Sequence, residues 1–321
     1  MQWVDKHKPR AIADVVLNDL MKIRIDSFIT HKTITHLILV GSNGVGKTLT
    51  VTNLVRDLYK ETLHNCVLQL NASDDRGIRS VEETIRMFCK KKVVYDDRYA
   101  KHKVVILDEV ENLSEKVQNL INELIDEYGS KEQNSTKFVF ICNNITNILE
   151  NIQSKCTILR FLPVEMSNIV KYLRGVCDKE KFDAEEEALE IIANSSKGDM
   201  RRAINDLQLV YNCFGEIITE YAYEICHKLK FEVIRGIFES CLQKKFKEAY
   251  LIIISLKENG FSEFDIITNM ADTLKMPNVD YLEEPVKIKF LDAIYKTGFI
   301  MSQGIISMLQ LCACLVTLCE L

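Results

Sequence analysis

Leu37-Ile38-Leu39-Val40 runs straight into Gly41-Ser42-Asn43-Gly44-Val45-Gly46-Lys47-Thr48, and a helical pattern follows. An unbroken apolar run suits a strand buried on both faces of a parallel sheet. The residues after it satisfy G-x-x-x-x-G-K-[ST] at every fixed position. Glycines let backbone N–H groups curl around a β-phosphate, and the helix N-terminus adds partial positive charge. Lys47 can then reach the β- and γ-phosphates, and the Thr48 hydroxyl can help to hold Mg²⁺. A Gly-rich turn matching by chance would lack the strand before it and the helix after it.

Working outward, four more apolar runs read as strands: Val67 to Leu70, Val104 to Leu107, Phe138 to Cys142 and Ile158 to Phe161. Between them, Val51, Leu54, Val55 and Leu58 repeat at helical spacing, as do Val117, Leu120, Ile121, Leu124 and Ile125. Alternating strands and helices predict a doubly wound α/β domain. The third run ends in Asp108-Glu109, which places two carboxylates at the sheet edge where α/β ligands bind. Asp108 is suited to hold Mg²⁺, directly or through water, and Glu109 to activate water as a general base. An apolar strand followed by Asp-Glu is common. After a complete phosphate loop it points to binding, and beyond that hydrolysis, of ATP or GTP.

Length and composition fit this plan. A chain of 321 residues suggests two or three domains. It is 47% hydrophobic and 27% charged, which excludes a disordered or collagen-like chain. Only 12 Gly and 4 Pro predict a helix-rich fold. The net charge of -5 means that any nucleic-acid contact must be a local patch. The 11 cysteines show no CxxC pair and no zinc spacing, so they read as free, mostly buried thiols in a reducing compartment. Residues 1–10 are charged and do not resemble a signal peptide. Thr297 to Cys319 carries no charge, but its Ser and Gln residues favour a buried helix over a membrane span. After Pro163 the pattern is helical to the end, with breaks near Asn212 to Glu216 and Lys228 to Phe231.

Longer boxes narrow the class. Trp3-Val4-Asp5-Lys6-His7-Lys8-Pro9 resembles the opening of clamp-loader small subunits of the replication factor C family, and Asn71-Ala72-Ser73-Asp74-Asp75-Arg76-Gly77-Ile78 resembles that family's most distinctive box. Ile141-Cys142-Asn143-Asn144 is similar to the sensor 1 stretch, Ser154-Lys155-Cys156 to the SRC motif, and Gly198-Asp199-Met200-Arg201-Arg202-Ala203 to the sensor 2 segment. The boxes occur in the family's order. The resemblance implies an AAA+ P-loop domain with a parallel sheet over residues 1–162, a small helical lid over 163–228 and an all-α collar over 229–321. It implies ATP and Mg²⁺ at Gly41 to Thr48 and Asp108. Val4, Lys8 and Pro9 would lie near the adenine, and Asn143 would touch the γ-phosphate or the attacking water. Arg201 would reach the γ-phosphate from the lid. A helix starting after a Gly-Asp turn independently puts Arg201 on its first turn.

The same resemblance implies a hetero-oligomer, a pentamer, that loads a sliding clamp onto primer–template DNA. DNA would be gripped through phosphates by Arg76, Arg79, Arg86 and Lys90. Arg76 would also switch Glu109 as DNA arrives. Lys90-Lys91-Lys92 with Lys101, His102 and Lys103 reads either as another basic patch or as a solvated run. Tyr95 is a candidate for the edge that meets the clamp, with a buried loop aromatic as the plainer reading. Three positions depart from the family. Lys155 stands where an arginine is offered in trans to a neighbour's ATP, and lysine lacks its planar fork. Asn119 to Leu124 lacks the family's paired arginines, and Glu82 stands where an arginine often faces DNA. An alternative is therefore an ATP-binding, DNA-gripping subunit with little hydrolysis of its own; a stand-alone remodeller fits the boxes less well. The expected compartment is intracellular, nuclear for a eukaryotic source, with no membrane partner.

Overall fold

The computed structural model describes residues 2–72, 78–93, 98–129, 135–226, 229, 231–275 and 282–321, with the backbone alone described for residues 78–81. The chain forms two compact units, Met1–Glu216 and Ile217–Leu321.

The first unit carries a five-stranded sheet in the order β2-β3-β4-β1-β5, with every pairing parallel. Its strands are β1 (Leu37–Val40), β2 (Val67–Asn71), β3 (Lys103–Asp108), β4 (Thr136–Cys142) and β5 (Thr157–Arg160). The helices up to the end of the sheet are α1 (Trp3–Lys6), α2 (Asp19–His31), α3 (Lys47–Tyr59), α4 (Leu63–Cys66), α5 (Ile78–Lys90), α6 (Glu115–Tyr128) and α7 (Glu150–Gln153). Strand side chains alternate between two cores. Leu37, Leu39, Val104, Ile106, Val139 and Ile141 pack with Val51, Leu54, Val55 and Leu58 of α3. Ile38, Val105, Leu107, Phe138, Phe140 and Cys142 pack with Val117, Ile121, Leu124 and Ile125 of α6. Both faces are covered, which is why the strands read as continuous apolar runs.

Because all strands point the same way, their C-terminal loops share one edge. Register pairs Val40 with Cys142 and Leu107 with Phe140. Gly41 and Asn143, the next residues along their strands, therefore emerge side by side, with Asp108 one strand further on. Three helices complete this unit: α8 (Met166–Glu180), α9 (Glu186–Ser196) and α10 (Met200–Phe214). Leu173, Ile192, Ala203 and Leu207 are buried among them. Gly215, at φ 77°, stops α10.

The second unit is helical among the described residues. Its helices are α11 (Thr219–Ile225), α12 (Phe231–Leu242), α13 (Phe246–Glu258), α14 (Glu263–Leu274), α15 (Glu284–Ser302) and α16 (Met308–Glu320). Its core includes Ile237, Phe238, Ile253, Met270, Phe290, Ile294 and Leu315.

Two sequence expectations need correction. The uncharged stretch from Thr297 to Cys319 is not one helix. It is split between α15 and α16 by a turn containing Gly304 at φ 94°. No helix among the described residues is long and apolar enough to cross a membrane. Lys103 and His102 are also not part of a surface patch, since both are buried. The Lys103 ammonium donates to the carbonyls of Phe88, Cys89 and Lys91, so it caps the C-terminal end of α5. Alternation at the start of β3 points this lysine into the protein, and the free carbonyls of a helix end satisfy it. The cysteines are free, most of them buried, as expected.

Candidate nucleotide site

A cavity of about 560 Å³ opens at the C-terminal edge of the sheet. Among its walls are Val4, Lys8, Pro9, Asn43, Gly44, Val45, Gly46, Lys47, Thr48, Asp108, Glu109, Asn143 and Arg201. Residues far apart in sequence thus meet in one place. Gly41 and Ser42 open the loop, and their carbonyls accept from Lys47 Nζ at 2.7 Å each.

The loop's geometry explains its glycines. Gly44 has φ +68°, and a Cβ there would stand 1.7 Å from Asp199 Oδ1. Asp199 is the N-cap of α10 and accepts from Arg202 N, while Met200 N donates to Gly44 O at 3.2 Å. The start of α10 therefore rests on the loop, and this contact puts Arg201 at the cavity. Gly46, at φ +91°, turns the chain into α3.

Lys47 is only 8% exposed. Besides the two carbonyls, its ammonium donates to Asn143 Oδ1 at 2.9 Å. Burial holds its pKa below the usual lysine range, and the nearby charges of Glu111 and Asp108 oppose that shift. Burial also pushes the Cys142 thiol up to about 12, so it remains protonated beside Lys47. Thr48 Oγ1 donates to Asp108 Oδ2 at 2.9 Å. A hydroxyl and a carboxylate side by side are hard oxygen donors suited to Mg²⁺. A loop turned by glycines at positive φ, with Lys47 and Arg201 on the cavity wall, suits a triphosphate. The residues present fit both groups.

Glu109 sits at φ 57°, ψ 40°, a left-handed conformation costing a non-glycine residue about 1 kcal/mol. The turn ends β3 abruptly and brings Glu109 to the cavity wall. Its N–H donates to Asp108 Oδ1, and Oε2 accepts from Asn112 Nδ2 at 3.3 Å.

The N-terminal segment is held by the lid. Trp3 is buried, as a packing residue would be. It stacks on Phe182 with ring centroids 5.5 Å apart, and its backbone N–H donates to Gln208 Oε1. Glu180 accepts from Lys6 and meets His7, and Tyr172 OH donates to His7 O. These ties carry Val4, Lys8 and Pro9 to the cavity.

Sequence reasoning missed Glu111, which lines the cavity and accepts from both nitrogens of Asn143. Its place two residues after Glu109, on the turn leaving a strand at the ligand edge, was the available signal.

The remaining expected residues lie elsewhere. Lys155 Nζ donates to Asp126 and Asn122 of α6. Arg86 donates to Glu82 on its own helix and to Glu127 at the end of α6. Lys90 is exposed at the end of α5. Arg76, Tyr95 and the Arg79 side chain fall outside the described residues.

Comparison with known proteins fits this geometry. Residues 37–164 match the ATPase family associated with various cellular activities, residues 171–211 match an RCF1/5-like AAA+ ATPase lid domain, and residues 230–317 match the replication factor C C-terminal domain. The chain is 35% identical, over 96% of its length and 93% of the other's, to a mimivirus protein named as a replication factor C small subunit. It is 34% identical to replication factor C subunit 2 of Arabidopsis thaliana, covering 98% of this chain and 92% of that one. The chain belongs to the replication factor C family. An archaeal small subunit from Methanococcus maripaludis is 32% identical over 98% of this replication factor C chain and 96% of its own. In fold, the family member resembles the Thermotoga maritima RuvB Holliday junction branch migration motor, with a TM-score of 0.55 at 15% identity, covering 73% of this chain and 79% of that one.

Proposed function

We propose that this chain is the small subunit of an ATP-dependent clamp loader, acting in a hetero-oligomer, a pentamer, that opens a sliding clamp and closes it on primer–template DNA. The observation that carries the reading is the single cavity in which Lys47, Thr48, Asp108, Glu109, Asn143 and Arg201 converge. Residues 1–162 form the nucleotide domain in this reading, 163–228 the lid and 229–321 the collar.

Val4, Lys8 and Pro9 flank the base, and Gly41 to Gly46 cradle the phosphates. Lys47 exchanges its carbonyl partners for phosphate oxygens. Thr48 and Asp108 would hold Mg²⁺, which would supply Lewis acidity when bound. Glu109 takes a proton from the attacking water on a carboxylate oxygen. Asn143 donates an N–H toward the γ-phosphate or that water, and Arg201 neutralises charge from the lid side. Because α10 rests on the loop, nucleotide arrival at Arg201 moves the lid.

Arg76, Arg79, Arg86 and Lys90 face the DNA backbone, and in a eukaryotic cell the complex works in the nucleus. A second reading is an ATP-binding, DNA-gripping subunit with little hydrolysis. The Lys155–Asp126 pair argues for specialisation, since a tethered lysine activates a neighbour's site poorly.

Single-turnover ATP hydrolysis by the assembled complex separates the two. Lys47→Ala should abolish ATP binding in calorimetry without unfolding the chain. Glu109→Gln should bind ATP and stop turnover at this site, because an amide cannot accept the proton. Unchanged ATP affinity in Lys47→Ala would remove the nucleotide site. Wild-type turnover in Glu109→Gln would remove Glu109 from its role.

A further inference from the structure

Asn143 stands between two charged groups that can each bond it in only one way. Lys47 Nζ, a donor only, lies 2.9 Å from Asn143 Oδ1. Glu111 Oε1, an acceptor only when ionised, lies 2.8 Å from Asn143 Nδ2 and 2.9 Å from the Asn143 backbone N. The side-chain amide is thereby fixed, oxygen toward the lysine and nitrogen toward the glutamate. A flipped amide would set two donors against Lys47 and an oxygen against a carboxylate.

The same carboxylate oxygen holds the main chain of Asn143, so both the backbone where β4 ends and the side chain beyond it are anchored to the turn after β3. That turn is the one opened by Glu109 in its left-handed conformation. A single bend therefore delivers Glu109 to the cavity and, two residues on, Glu111 to the neighbouring strand's end.

Glu111 is unsuited to the other roles a carboxylate in this place could take. Oε1 is occupied by two N–H groups. Oε2 is buried from solvent and has no hydrogen-bond partner among the described residues.

We infer that Glu111 is a positioning residue for the ATPase reaction, orienting the Asn143 amide so that its second Nδ2 hydrogen points into the cavity. The inference rests on the ATPase reading given above. In this inference Glu111 acts through Asn143, the residue that both of its Oε1 hydrogen bonds hold.

The test is a double-mutant cycle in the assembled complex, read as kcat and as MgATP Kd. Glu111→Ala should lower kcat about 10- to 100-fold, the range expected when a reacting group is misplaced, with Kd changed less than about threefold. Asn143→Ala should do the same. The double variant should be no slower than Asn143→Ala alone. Glu111→Gln should keep kcat within about threefold of wild type, because its carbonyl still accepts both N–H groups. Should Glu111→Ala fail to fold, Glu111→Met has similar length without an acceptor and enters the same cycle. Equal losses from the Glu111 variant in the wild-type and Asn143→Ala backgrounds would overturn the inference, as would a loss confined to Kd. Failure of the underlying reading looks different: no turnover in the wild type, or unchanged ATP affinity in Lys47→Ala.

Discussion

Lys155 Nζ lies 2.7 Å from Asp126 Oδ1 and 2.8 Å from Oδ2, with Asn122 Oδ1 also at 2.7 Å. The position at which the family offers a trans-acting arginine thus holds a lysine tied to its own α6. Asn122 belongs to the Asn119–Leu124 stretch that departs from the family's paired arginines, so two departures meet in one contact. To act on a neighbour's phosphate, the ammonium must leave Asp126. An exposed pair of this kind is worth up to about 1 kcal/mol, so freeing it raises the rate at most about fivefold. Asp126→Asn should therefore raise neighbouring-site hydrolysis modestly. Lys155→Arg alone should help less than Lys155→Arg with Asp126→Asn, because Asp126 can clamp the guanidinium fork. Site-resolved single-turnover rates in the complex check this. No increase from the double substitution would assign Lys155 to intrachain packing.

Gly44 gives a test of the cradle. An alanine there meets both a left-handed φ and Asp199 Oδ1 at 1.7 Å. The Asp199 side chain must swing off its N-cap bond to Arg202, the lid must lift or the loop must open. Gly44→Ala should weaken ATP binding about tenfold or more in calorimetry. Gly44→Ala with Asp199→Ala should recover only part of that, since the clash goes and the backbone strain stays. Full recovery would mean that φ at Gly44 carries no cost.

Much of this site was legible in the sequence. The motif from Gly41 to Thr48 fixes its own geometry because glycine, lysine and threonine are needed at set distances from a strand end. The parallel sheet followed from the unbroken apolar runs. Burial of Lys103 was not legible. A lysine in a run of charged residues reads as surface, and only the carbonyl ends of α5, brought close by tertiary packing, make its burial tolerable. Glu111 was missed for a similar reason. Its partner, Asn143, is on another strand, and the register that joins them is set by the whole sheet.

One buried histidine, His102, and one half-buried histidine, His36, predict acid lability. Burial lowers His36 to about 4, aided by the charges of Lys137 and Lys155, and burial lowers His102 to about 4 with help from Lys137. His36 Nδ1 accepts from Phe138 N, a bond that requires the unprotonated nitrogen. Both groups are neutral in the folded chain and protonate in the unfolded one from about pH 6.5 downward. The unfolded state therefore binds more protons between pH 6.5 and 4, and stability falls as pH falls through that window. The loss is on the order of 1 kcal/mol per pH unit per histidine. Urea midpoints measured from pH 7 to 4.5 should decline. His102→Phe, which keeps a ring beside Tyr59, should flatten the decline. An unchanged slope in that variant would assign the acid loss to His36 or to carboxylates such as Glu180, whose pKa its hydrogen bonds with Lys6 and His7 hold low.

Arg86 is held by two carboxylates, which bears on the proposed grip on DNA. Its Nε donates to Glu82 Oε1 and its Nη1 to Glu127 Oε2, both at 3.0 Å. A guanidinium engaged by two carboxylates is a weak phosphate ligand until one releases it. Glu82 is itself the residue that departs from the family's arginine, so the departure does more than remove a cation: it restrains the one a turn away. Glu82→Gln should free Arg86 and remove a negative charge from the same face. DNA affinity of the assembled complex should rise, and the plot of log affinity against log salt should steepen by roughly 0.9 as Arg86 takes up one phosphate. Arg86→Ala should change affinity little in the wild-type background and abolish the increase in the Glu82→Gln background. Lys90→Ala, at the exposed end of the same helix, should flatten the slope by roughly 0.9 in either background. Affinity for primed DNA at several salt concentrations, measured for each of these variants beside the wild type, separates these outcomes. If Glu82→Gln leaves both affinity and slope unchanged, this face of α5 does not touch DNA, and the Arg86 pair serves only to join α5 to α6.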